Sequence, residues 1–423
     1  MENNKYNLAV IGGGPAGMMA AGRAGELGSR VILLEKNDRL GIKLLITGKG
    51  RCNITNAEED LKKMVNAYGP NGKFLYSALN NFSNKNAEFF FESRGLKTKT
   101  EPGGKIFTAS DNANDIMDCL KKYLIDNQVK IKFNSPVEKI IISSDKKIDK
   151  IILQNGEEIA ADNYILATGG KSYPQTGSTG DAYKWLKKIG HKVVEPKPAL
   201  TPIMVKEKIV KKLEGLSLKN AEISIYKRNK KIDSRFGEAI FTSNGISGPI
   251  IFDMSKNIGA NFDNNLKIKI DFKPAFDYQA LDKRIQNDFA EQKNKQFKNS
   301  LNKLLSKKLI PAIIELSGID GNKKVNEVTK IERKKIIKLI KEFELGVKGL
   351  AGFEKAIITS GGADLKEIDP KTMKSKIINN LYFSGEILNI DGPTGGYNLQ
   401  VAWSTGYLAG GSSFNYPQAI IEN

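Results

Sequence analysis

The stretch NLAVIGGGPAGMMAAGRAGELGSRVILLE, residues 7–35, decides the fold. Residues 7–11 are apolar and short enough for a buried strand, and a glycine turn follows them at once. An Ala- and Gly-rich helix then runs to about Leu27, and a second strand spans Arg30 to Glu35. A strand, a helix and a strand in this order predict a β-α-β unit.

The glycine turn has the spacing of a dinucleotide-binding fingerprint. Gly12 permits the tight turn, Gly14 lets a pyrophosphate approach the backbone, and Gly17 allows the helix to pack closely on the strand. The N-terminus of the helix then faces the phosphates. Glu35 ends the second strand, where its carboxylate can accept hydrogen bonds from the adenosine ribose. The glycine triplet, its position between a strand and a helix, and the acid at the end of the second strand together predict a dinucleotide-binding site.

Length and composition fit a globular protein of two or three domains. The chain has 423 residues, of which 40% are hydrophobic and 27% are charged, and this length exceeds what one small core can hold. No apolar run approaches the roughly 18 residues of a membrane span, and residues 1–7 lack the features of a secretory signal. We therefore expect a cytoplasmic protein without a membrane partner.

Cysteine and histidine are too scarce for several classes of catalytic site. Cys52 and Cys119 are the two cysteines, and His191 is the one histidine. Two cysteines cannot build a disulfide framework or a Cys-rich metal site, and one histidine leaves no cluster for zinc. We expect no metal site, and we expect His191, which follows a helix end, to be an ordinary surface or cap residue.

Positive charge is concentrated in two segments of the chain. Residues 186–235 hold 14 Lys or Arg against five Asp or Glu, and residues 281–345 hold 16 against nine. The two segments supply 16 of the net 19 positive charges, while the last 78 residues carry a net charge of −1. A general Lys-rich bias of composition is one explanation, but it would raise the charge of the C-terminal segment too. The alternative is a polyanion partner such as nucleic acid.

The later strand and helix patterns outline an interrupted domain. A buried strand from Asn163 ends in glycines at Gly170, and the texture changes after Pro196 and Pro198. Short antiparallel strands are predicted next, at Ala221–Tyr226, Ala239–Thr242 and Leu266–Phe272. Polar-faced helices follow at Lys283–Leu309 and Lys330–Phe343. Buried strands return near Ala356 and at Leu381–Gly385, and a helix from Tyr397 to about Ala409 closes the fold.

Three further segments favour FAD over NAD as the dinucleotide. Leu166-Ala-Thr-Gly-Gly170 is a strand that runs into a turn of small residues, as in flavoproteins with two dinucleotide-binding domains. Glu386 directly follows a buried strand, where it can bond the ribityl hydroxyls. The run DGPTGGYNLQ, residues 391–400, opens the last helix, and its amides would face the flavin pyrimidine edge.

The loop TGKGRCNITN, residues 47–56, is the most unusual segment of the chain. Two glycines make the loop flexible, and Lys49 and Arg51 can meet the pyrophosphate or an anionic substrate. Cys52 can donate a proton beside the flavin, or it is a small packed thiol, since free cysteine is among the most buried residues. Both interpretations of Cys52 stay open at this point.

These segments resemble the BaiN/RdsA family of flavoproteins, which is related to aminoacetone-oxidase-like FAD enzymes. The resemblance covers essentially the whole chain in the same order, and the runs around Arg51-Cys52-Asn53 and Gly395-Gly-Tyr-Asn-Leu-Gln400 are highly specific. Many relatives carry a histidine after the Phe-Thr at residues 241–242, whereas this chain has Ser243. A role for that histidine is therefore not carried over.

The resemblance implies an α/β fold: a Rossmann-type FAD-binding domain of the two-dinucleotide-binding-domain flavoprotein kind, an inserted antiparallel β-barrel-like domain and a small helical subdomain. We expect the FAD-binding domain at 1–195 and 356–423, the β domain at 196–280 and 344–355, and the helical subdomain at 281–343. The predicted cofactor-binding residues are Gly12, Gly14, Pro15, Ala16, Gly17, Glu35, Lys36, Lys43, Thr47, Gly48, Gly50, Arg51, Cys52, Asn53, Val137, Thr168, Gly169, Gly170, Gly385, Glu386, Asp391, Gly395, Gly396, Tyr397, Asn398 and Leu399.

The resemblance also implies reduction of activated C=C bonds, in branches that differ in substrate. One branch forms dihydrouridine in large-subunit ribosomal RNA, another reduces bile-acid enones, and a third is linked to amine oxidation. The concentrated positive charge favours the RNA branch, with ribosomal RNA as partner. Cys52 is the predicted proton donor and Tyr397 its rival. We expect NAD(P)H to dock transiently as electron donor, unless another reductant serves, and the oligomeric state stays open.

Overall fold

A computed structural model describes residues 5–263 and 265–414 of the chain. The chain divides into two compact units, of which the first comprises Met1–Pro198 and Ala356–Asn423 and the second comprises Ala199–Lys355. Within the described residues, no helix is both long and apolar enough to cross a membrane.

Both units contain helices and strands. Before the insertion the elements are β1 (Tyr6–Ile11), α1 (Pro15–Glu26), β2 (Val31–Leu34), α2 (Ile42–Ile46), β3 (Thr55–Asn56), α3 (Leu61–Asn66), α4 (Tyr76–Asn81), α5 (Asn84–Glu92), β4 (Thr98–Glu101), β5 (Lys105–Thr108), α6 (Ala113–Asp126), β6 (Lys130–Lys132), β7 (Val137–Ile142), β8 (Ile148–Leu153), β9 (Glu158–Ile159), β10 (Ala161–Leu166), α7 (Asp181–Lys188) and β11 (Val193–Ala199). The second unit adds β12 (Ile203–Val205), β13 (Ser217–Lys227), β14 (Lys230–Thr242), β15 (Gly245–Ser247), α8 (Pro249–Asn261), β16 (Leu266–Asp271), α9 (Tyr278–Glu291), α10 (Ile310–Ser317), α11 (Lys330–Lys341) and β17 (Phe343–Leu350). The chain closes with β18 (Ile358–Ala363), β19 (Leu381–Phe383) and α12 (Tyr397–Ser412).

The first unit is organised around a five-stranded parallel sheet in the order β19-β10-β1-β2-β6. The four residues of β2 are all buried, as are the last four of β1, because helices cover both faces of such a sheet. Two small antiparallel sheets, β3-β5-β4 and β7-β8-β9, and the pair β11-β18 complete this unit. The predicted Rossmann-type α/β fold is confirmed.

Helices α1 and α12 pack with their backbones almost in contact. A Cβ atom on Gly406 would lie 2.5 Å from the carbonyl oxygen of Ala16, and one on Gly410 would lie 2.3 Å from that of Ala20. Trp403 of α12 is fully buried, and its indole N–H donates to the carbonyl oxygen of Ile54. These contacts place the C-terminal helix beside the glycine turn.

The second unit contains a closed six-stranded barrel in the order β12-β15-β14-β13-β16-β17. Inward-facing residues of β13 such as Ile223 and Ile225 have no exposed surface. Helices α9, α10 and α11 belong to the same unit, and their apolar side chains share one hydrophobic cluster with the barrel. The helical segment therefore completes the core of this unit.

The helix predicted over Lys283–Leu309 is wrong in its second half. α9 ends at Glu291, and the backbone N–H of Phe297 donates to the carbonyl oxygen of Lys323. Phe297 and Leu301 are buried all the same. Apolar residues at helical spacing thus reach the core from an irregular segment, because that segment pairs with the chain around residues 321–324.

His191 is not the surface or cap residue that its position after α7 indicated, because its exposed fraction is 3%. The Ser375 hydroxyl oxygen accepts two backbone N–H bonds, so its proton is directed at His191 Nε2, 2.8 Å away. The other ring nitrogen, Nδ1, then donates to the Glu367 carboxylate at 3.1 Å. Burial lowers the pKa of His191, although Glu367 raises it in part.

This environment predicts a loss of stability on mild acidification. The folded-state pKa of His191 lies below the ordinary value of about 6.5, so the unfolded chain takes up the proton first as the pH falls below that value. Because the chain has one histidine, a single imidazole signal in the NMR spectrum of tag-free protein reports the titration. We expect its midpoint below about 6.5, and a midpoint at or above that value would contradict the assignment.

A matched variant isolates the contribution of His191. His191→Gln keeps hydrogen-bonding groups but cannot titrate, so its melting temperature should fall less than that of the wild type between pH 7 and the acid side of about 6.5. Equal pH dependence in the two proteins would show that other groups are responsible.

Candidate active site

A cavity of about 440 Å³ lies in the first unit, where β1, β2 and β10 end. The carboxyl edge of an open parallel sheet is where such folds bind their ligands. Of the predicted site residues, those that line this cavity are Gly12, Gly14, Pro15, Ala16, Glu35, Lys36, Lys43, Thr47, Val137, Thr168, Gly169, Glu386, Asn398 and Leu399. Residues from both ends of the chain therefore meet at one site.

The three glycines of the fingerprint differ in what surrounds them. Gly12 has a φ of +111°, and a Cβ atom there would lie 2.5 Å from the carbonyl oxygen of Ala167. A Cβ atom on Gly17 would lie 1.8 Å from the carbonyl oxygen of Gly12. A Cβ atom on Gly14 would meet no atom within 4 Å and would point into open space. Gly12 and Gly17 thus allow the tight turn and its close packing, and Gly14 leaves the space in front of the helix terminus free of a side chain.

The N-terminus of α1 is directed at the cavity without a side-chain cap. Gly14 is the N-cap and Pro15 the first helical residue. N–H groups in the first turn of a helix have no partner within the helix, and the helix dipole makes this end attractive to anions. The first turn of α1 is therefore suited to a pyrophosphate.

Glu35 is buried at the end of β2 and is held by backbone amides. One carboxylate oxygen accepts the N–H of Gly13 at 2.8 Å, and the other accepts the backbone and side-chain N–H groups of Asn37 at 2.9 and 2.7 Å. These bonds fix the orientation of the carboxylate in the cavity wall. Each oxygen can accept further bonds from hydroxyl groups such as those of a ribose.

A second carboxylate, Glu386, lies in the wall and is paired with Lys43. The Lys43 ammonium group lies 2.7 Å from one oxygen of Glu386, and the other oxygen accepts the Ser172 hydroxyl at 2.6 Å and the backbone N–H of Thr359 at 2.8 Å. Sequence reasoning missed Ser172 and Thr359. Nothing in the sequence around either residue indicated a partner for Glu386.

The cavity also contains features that a dinucleotide satisfies. The Thr168 hydroxyl is buried and has no hydrogen-bond partner among the described residues, and Thr168 lines the cavity. Lys36 is held at the wall by Thr179 at 2.6 Å and Asp181 at 2.8 Å. FAD fits the open space above Gly14, the uncapped helix terminus and the two fixed carboxylates. In this fit Glu35 would bond a ribose, and the first turn of α1 would bind the pyrophosphate.

The predicted residues outside the cavity lining are Gly17, Gly48, Gly50, Arg51, Cys52, Asn53, Gly170, Gly385, Asp391, Gly395, Gly396 and Tyr397. Several of them shape the wall through their neighbours. A Cβ atom on Gly170 would lie 2.3 Å from the Thr359 hydroxyl oxygen, and the N–H of Gly385 donates to Thr405. Asp391 accepts the hydroxyl of Ser360 at 2.9 Å.

Arg51 does not line the cavity, although the sequence indicated a role at the pyrophosphate. Its guanidinium group bonds Glu101 at 2.7 Å, reaches Asp111 at 3.3 Å and lies 4.1 Å above the ring of Phe107. Two carboxylates and an aromatic face thus hold this cation against the β4–β5 hairpin. In this arrangement Arg51 positions the loop 47–53.

Cys52 is fully buried, in a left-handed backbone conformation with a φ of +57°. Burial raises the pKa of its thiol to about 12, although a hydrogen bond with Thr47 lowers it in part. The thiol is therefore protonated at neutral pH, but it has no exposed surface and lies outside the cavity lining. The packed-thiol interpretation agrees with this placement.

Tyr397 begins α12 and is half-buried. Its ring packs edge-on against Tyr68 at a centroid distance of 5.9 Å, and the Tyr68 hydroxyl donates to the Tyr397 carbonyl oxygen. Burial, and then the nearby Glu58, raise the pKa of Tyr397, which keeps its phenol protonated. Gly396 precedes it at a φ of +99°, where a Cβ atom would lie 2.3 Å from the carbonyl group of Thr55.

Residues 6–412 match the family model described as the HI0933-like protein Rossmann domain. The chain belongs to the HI0933-like family. It is 32% identical over 414 residues to the 3-dehydro-bile acid delta(4,6)-reductase of Clostridium scindens, covering 97% of this chain and 99% of that one. It is 30% identical over 401 residues to the ribosomal RNA dihydrouridine synthase of Haemophilus influenzae, covering 94% and 96%.

Solved structures of flavoenzymes share the fold. The 3-ketosteroid-delta4-(5alpha)-dehydrogenase of Rhodococcus jostii RHA1 superposes with a TM-score of 0.53 and 16% identity over 97% of both chains. Family membership confirms the predicted class, since this HI0933-like protein is a FAD-dependent oxidoreductase. The cavity with its glycine turn and two carboxylates is its candidate FAD site.

Gly14→Val tests the cofactor site. The valine side chain would occupy the space in front of the first turn of α1, so the purified variant should lack bound FAD. The wild-type HI0933-like protein should be yellow and should release FAD, not FMN, on denaturation. Gly321→Val is the control, because that second-unit glycine also has room for a side chain. Normal FAD content in Gly14→Val would contradict the assignment of the pyrophosphate.

Proposed function

We propose that the protein reduces the C5=C6 bond of uridine in ribosomal RNA, with FAD as its cofactor. The similarity to a ribosomal RNA dihydrouridine synthase over 94% of this chain supports the reaction. The charge of the second unit supports the partner, because most of the first positively charged segment and the whole of the second lie within that unit. The single observation that carries the proposal is the basic tip of the β13–β14 hairpin.

That hairpin places cations together at its tip, and one of them, Lys227, lies 3.9 Å from the carboxylate of Asp263. Arg228 and Asn229 form its turn, both in the left-handed region at φ values of 46° and 65°, as a two-residue type I′ turn requires. Lys227 lies directly opposite Lys230 in the register of the two strands. Like charges in directly opposed positions repel each other and destabilise the hairpin. A phosphate backbone relieves this repulsion.

The reaction needs an electron-rich hydride source and an acid. FAD in the cavity would supply, once reduced, the hydride for C6 of the uracil, whose C5=C6 bond is conjugated to a carbonyl group. Glu35 and the first turn of α1 would bind the dinucleotide, and Glu386, held by Lys43, would orient it in the wall. A target base within folded RNA must leave its stack to reach such a site.

A protonated side chain must deliver the proton to C5, and the geometry favours Tyr397 over Cys52. Both groups are protonated at neutral pH, since burial raises the pKa of each. The Cys52 thiol has no exposed surface, whereas the Tyr397 side chain is half-buried and begins α12, whose next residues line the cavity. We therefore assign proton donation to Tyr397.

Conservative substitutions separate the two candidates. Tyr397→Phe removes the hydroxyl alone and should lower kcat for substrate reduction by about 100-fold, the scale of general-acid catalysis, without changing FAD content. Cys52→Ala should cost far less activity and act mainly on stability. A loss of about 100-fold in Cys52→Ala with full FAD content, together with a mild effect in Tyr397→Phe, would reverse the assignment.

NAD(P)H is the electron donor that we propose, docking transiently. The sequence has no second glycine triplet after a strand, so no separate nucleotide domain is indicated. Anaerobic mixing of the oxidised enzyme with NADH or NADPH should bleach the flavin absorbance within a turnover time. If the flavin absorbance is bleached only by another reductant, that reductant takes the place of NAD(P)H as the proposed electron donor.

A small-molecule enone is the second candidate substrate, because the relative at 32% identity is named as a bile-acid reductase. The discriminating assay offers the anaerobically reduced enzyme either a protein-free ribosomal RNA fragment or a steroid enone and follows flavin reoxidation. We expect reoxidation by the RNA, with dihydrouridine detected by mass spectrometry. Rapid reoxidation by the enone, without dihydrouridine in the RNA, would select the small-molecule reductase.

Charge reversal on the second unit tests the partner. The positions for change to Glu are Lys211, Lys212, Lys227, Arg228, Lys230 and Lys231. RNA affinity and dihydrouridine formation should fall together while the flavin spectrum stays intact, because the substitutions lie outside the FAD cavity. Wild-type affinity should also fall steeply with salt concentration, since each neutralised phosphate releases counterions. If RNA affinity is the same after charge reversal and at high salt concentration, the proposal of RNA as the partner is contradicted.

A further inference from the structure

A second cavity, of about 880 Å³, lies wholly within the second unit. Its walls are the beginning of β13, Phe236 of β14, the turn after β16 and the segment 304–309. Most of the side chains in these walls are apolar, and among the described residues that line it the charged ones are Lys219 and Lys273. It shares no residue with the FAD cavity, so the reaction as described does not use it.

One wall of this cavity is held rigid by a buried lysine. The Lys341 ammonium group pairs with Asp271 at 2.5 Å and donates to the carbonyl oxygens of Lys273 at 3.1 Å and Phe276 at 2.5 Å. The same Asp271 carboxylate accepts the backbone N–H of Lys273 at 2.8 Å. The turn is therefore shaped before any ligand binds, which reduces the ordering cost of binding.

Phe236 presents an aromatic surface at the rim. Its exposed fraction is 63%, although Phe272, which also lines the cavity, is buried. In the strand register Phe236 lies opposite Glu222, whose carboxylate is engaged by the Ser234 hydroxyl at 2.7 Å and by Lys231 at 3.7 Å. The nearest acid across the strands is thus neutralised, and the two lysines in the lining set the charge of the cavity.

We propose that this cavity binds an unpaired nucleotide of the RNA substrate, with its base against Phe236 and its flanking phosphates at Lys219 and Lys273. The assignment rests on the proposed function. A nucleotide within a strand has a phosphate on each side of an aromatic base, which matches two cations beside an aromatic ring and apolar walls. A steroid carboxylate carries one negative charge and leaves one lysine unmatched. The side chains of Ser217 and Asn220 can bond the base edge.

Binding of a labelled single-stranded RNA dodecamer to the FAD-loaded enzyme tests the aromatic contact. Phe236→Ala should weaken binding roughly tenfold, within the range of one base–aromatic stack. Phe89→Ala is the matched control, because Phe89 on α5 of the first unit has an exposed fraction of 68%. Equal affinities of Phe236→Ala and Phe89→Ala would overturn the proposal.

The two lysines have a separate readout in the salt dependence. Each phosphate contact to single-stranded RNA adds about 0.7 to the slope of log affinity against log salt concentration. Lys219→Gln and Lys273→Gln should each reduce the slope by about that amount, Phe236→Ala should not change it, and Lys62→Gln in the first unit should match the wild type. If the slope is unchanged in both lysine variants, neither lysine contacts a phosphate, and the proposal is overturned.

Two further outcomes separate this cavity from the reaction and from a small-molecule occupant. If the wild-type enzyme binds the dodecamer through Phe236 but forms no dihydrouridine, the proposed reaction fails and the cavity assignment stands. If cholate binds in a Phe236-dependent way while RNA affinity is the same in all variants, the cavity takes a small amphipathic anion and the proposal is overturned. The Phe236→Ala enzyme should keep its FAD spectrum and its melting temperature.

Discussion

The close approach of α1 and α12 is the constraint on which the FAD site depends. Glycines at 406 and 410 let the last helix touch the backbone of the first, at distances where a methyl group would collide with a carbonyl oxygen. The last helix brings Asn398 and Leu399 to a cavity whose opposite wall begins at Gly12. The insertion of 157 residues between Pro198 and Ala356 thus leaves the cofactor site intact.

Pre-set hydrogen bonds make the cavity ready for its cofactor. Each of the two wall carboxylates, Glu35 and Glu386, accepts a backbone N–H and at least one side-chain donor, so neither has to reorganise when a sugar hydroxyl arrives. Lys43 offsets the charge of Glu386 within the wall. The first turn of α1 contributes partial positive charge where the pyrophosphate is expected. Such preorganisation keeps the cost of binding low.

The sequence predicts the parts of this site that depend on local geometry. A glycine triplet between a strand and a helix needs only its own backbone to form a phosphate-binding turn, and the turn, Glu35 and Glu386 all lie in the cavity wall. His191 was misjudged, because its partner Glu367 is 176 positions away in the chain. The pairing of Arg51 with Glu101, 50 positions away, was likewise not predicted. The prediction of a helix beyond Glu291 failed for the same reason, because that segment forms backbone hydrogen bonds with residues 321–324. Long-range partners leave no periodic signal.

The insertion begins and ends at two paired strands. The strand that leaves the first unit, β11, pairs with the strand that returns to it, β18. A Cβ atom on Gly361 would lie 2.5 Å from the carbonyl oxygen of Glu195, so the two strands pack closely against each other. Changes between them need not disturb the glycine turn or the wall carboxylates. Substrate choice is therefore expected to depend on the second unit, which carries Phe236, two cavity lysines and the hairpin cations.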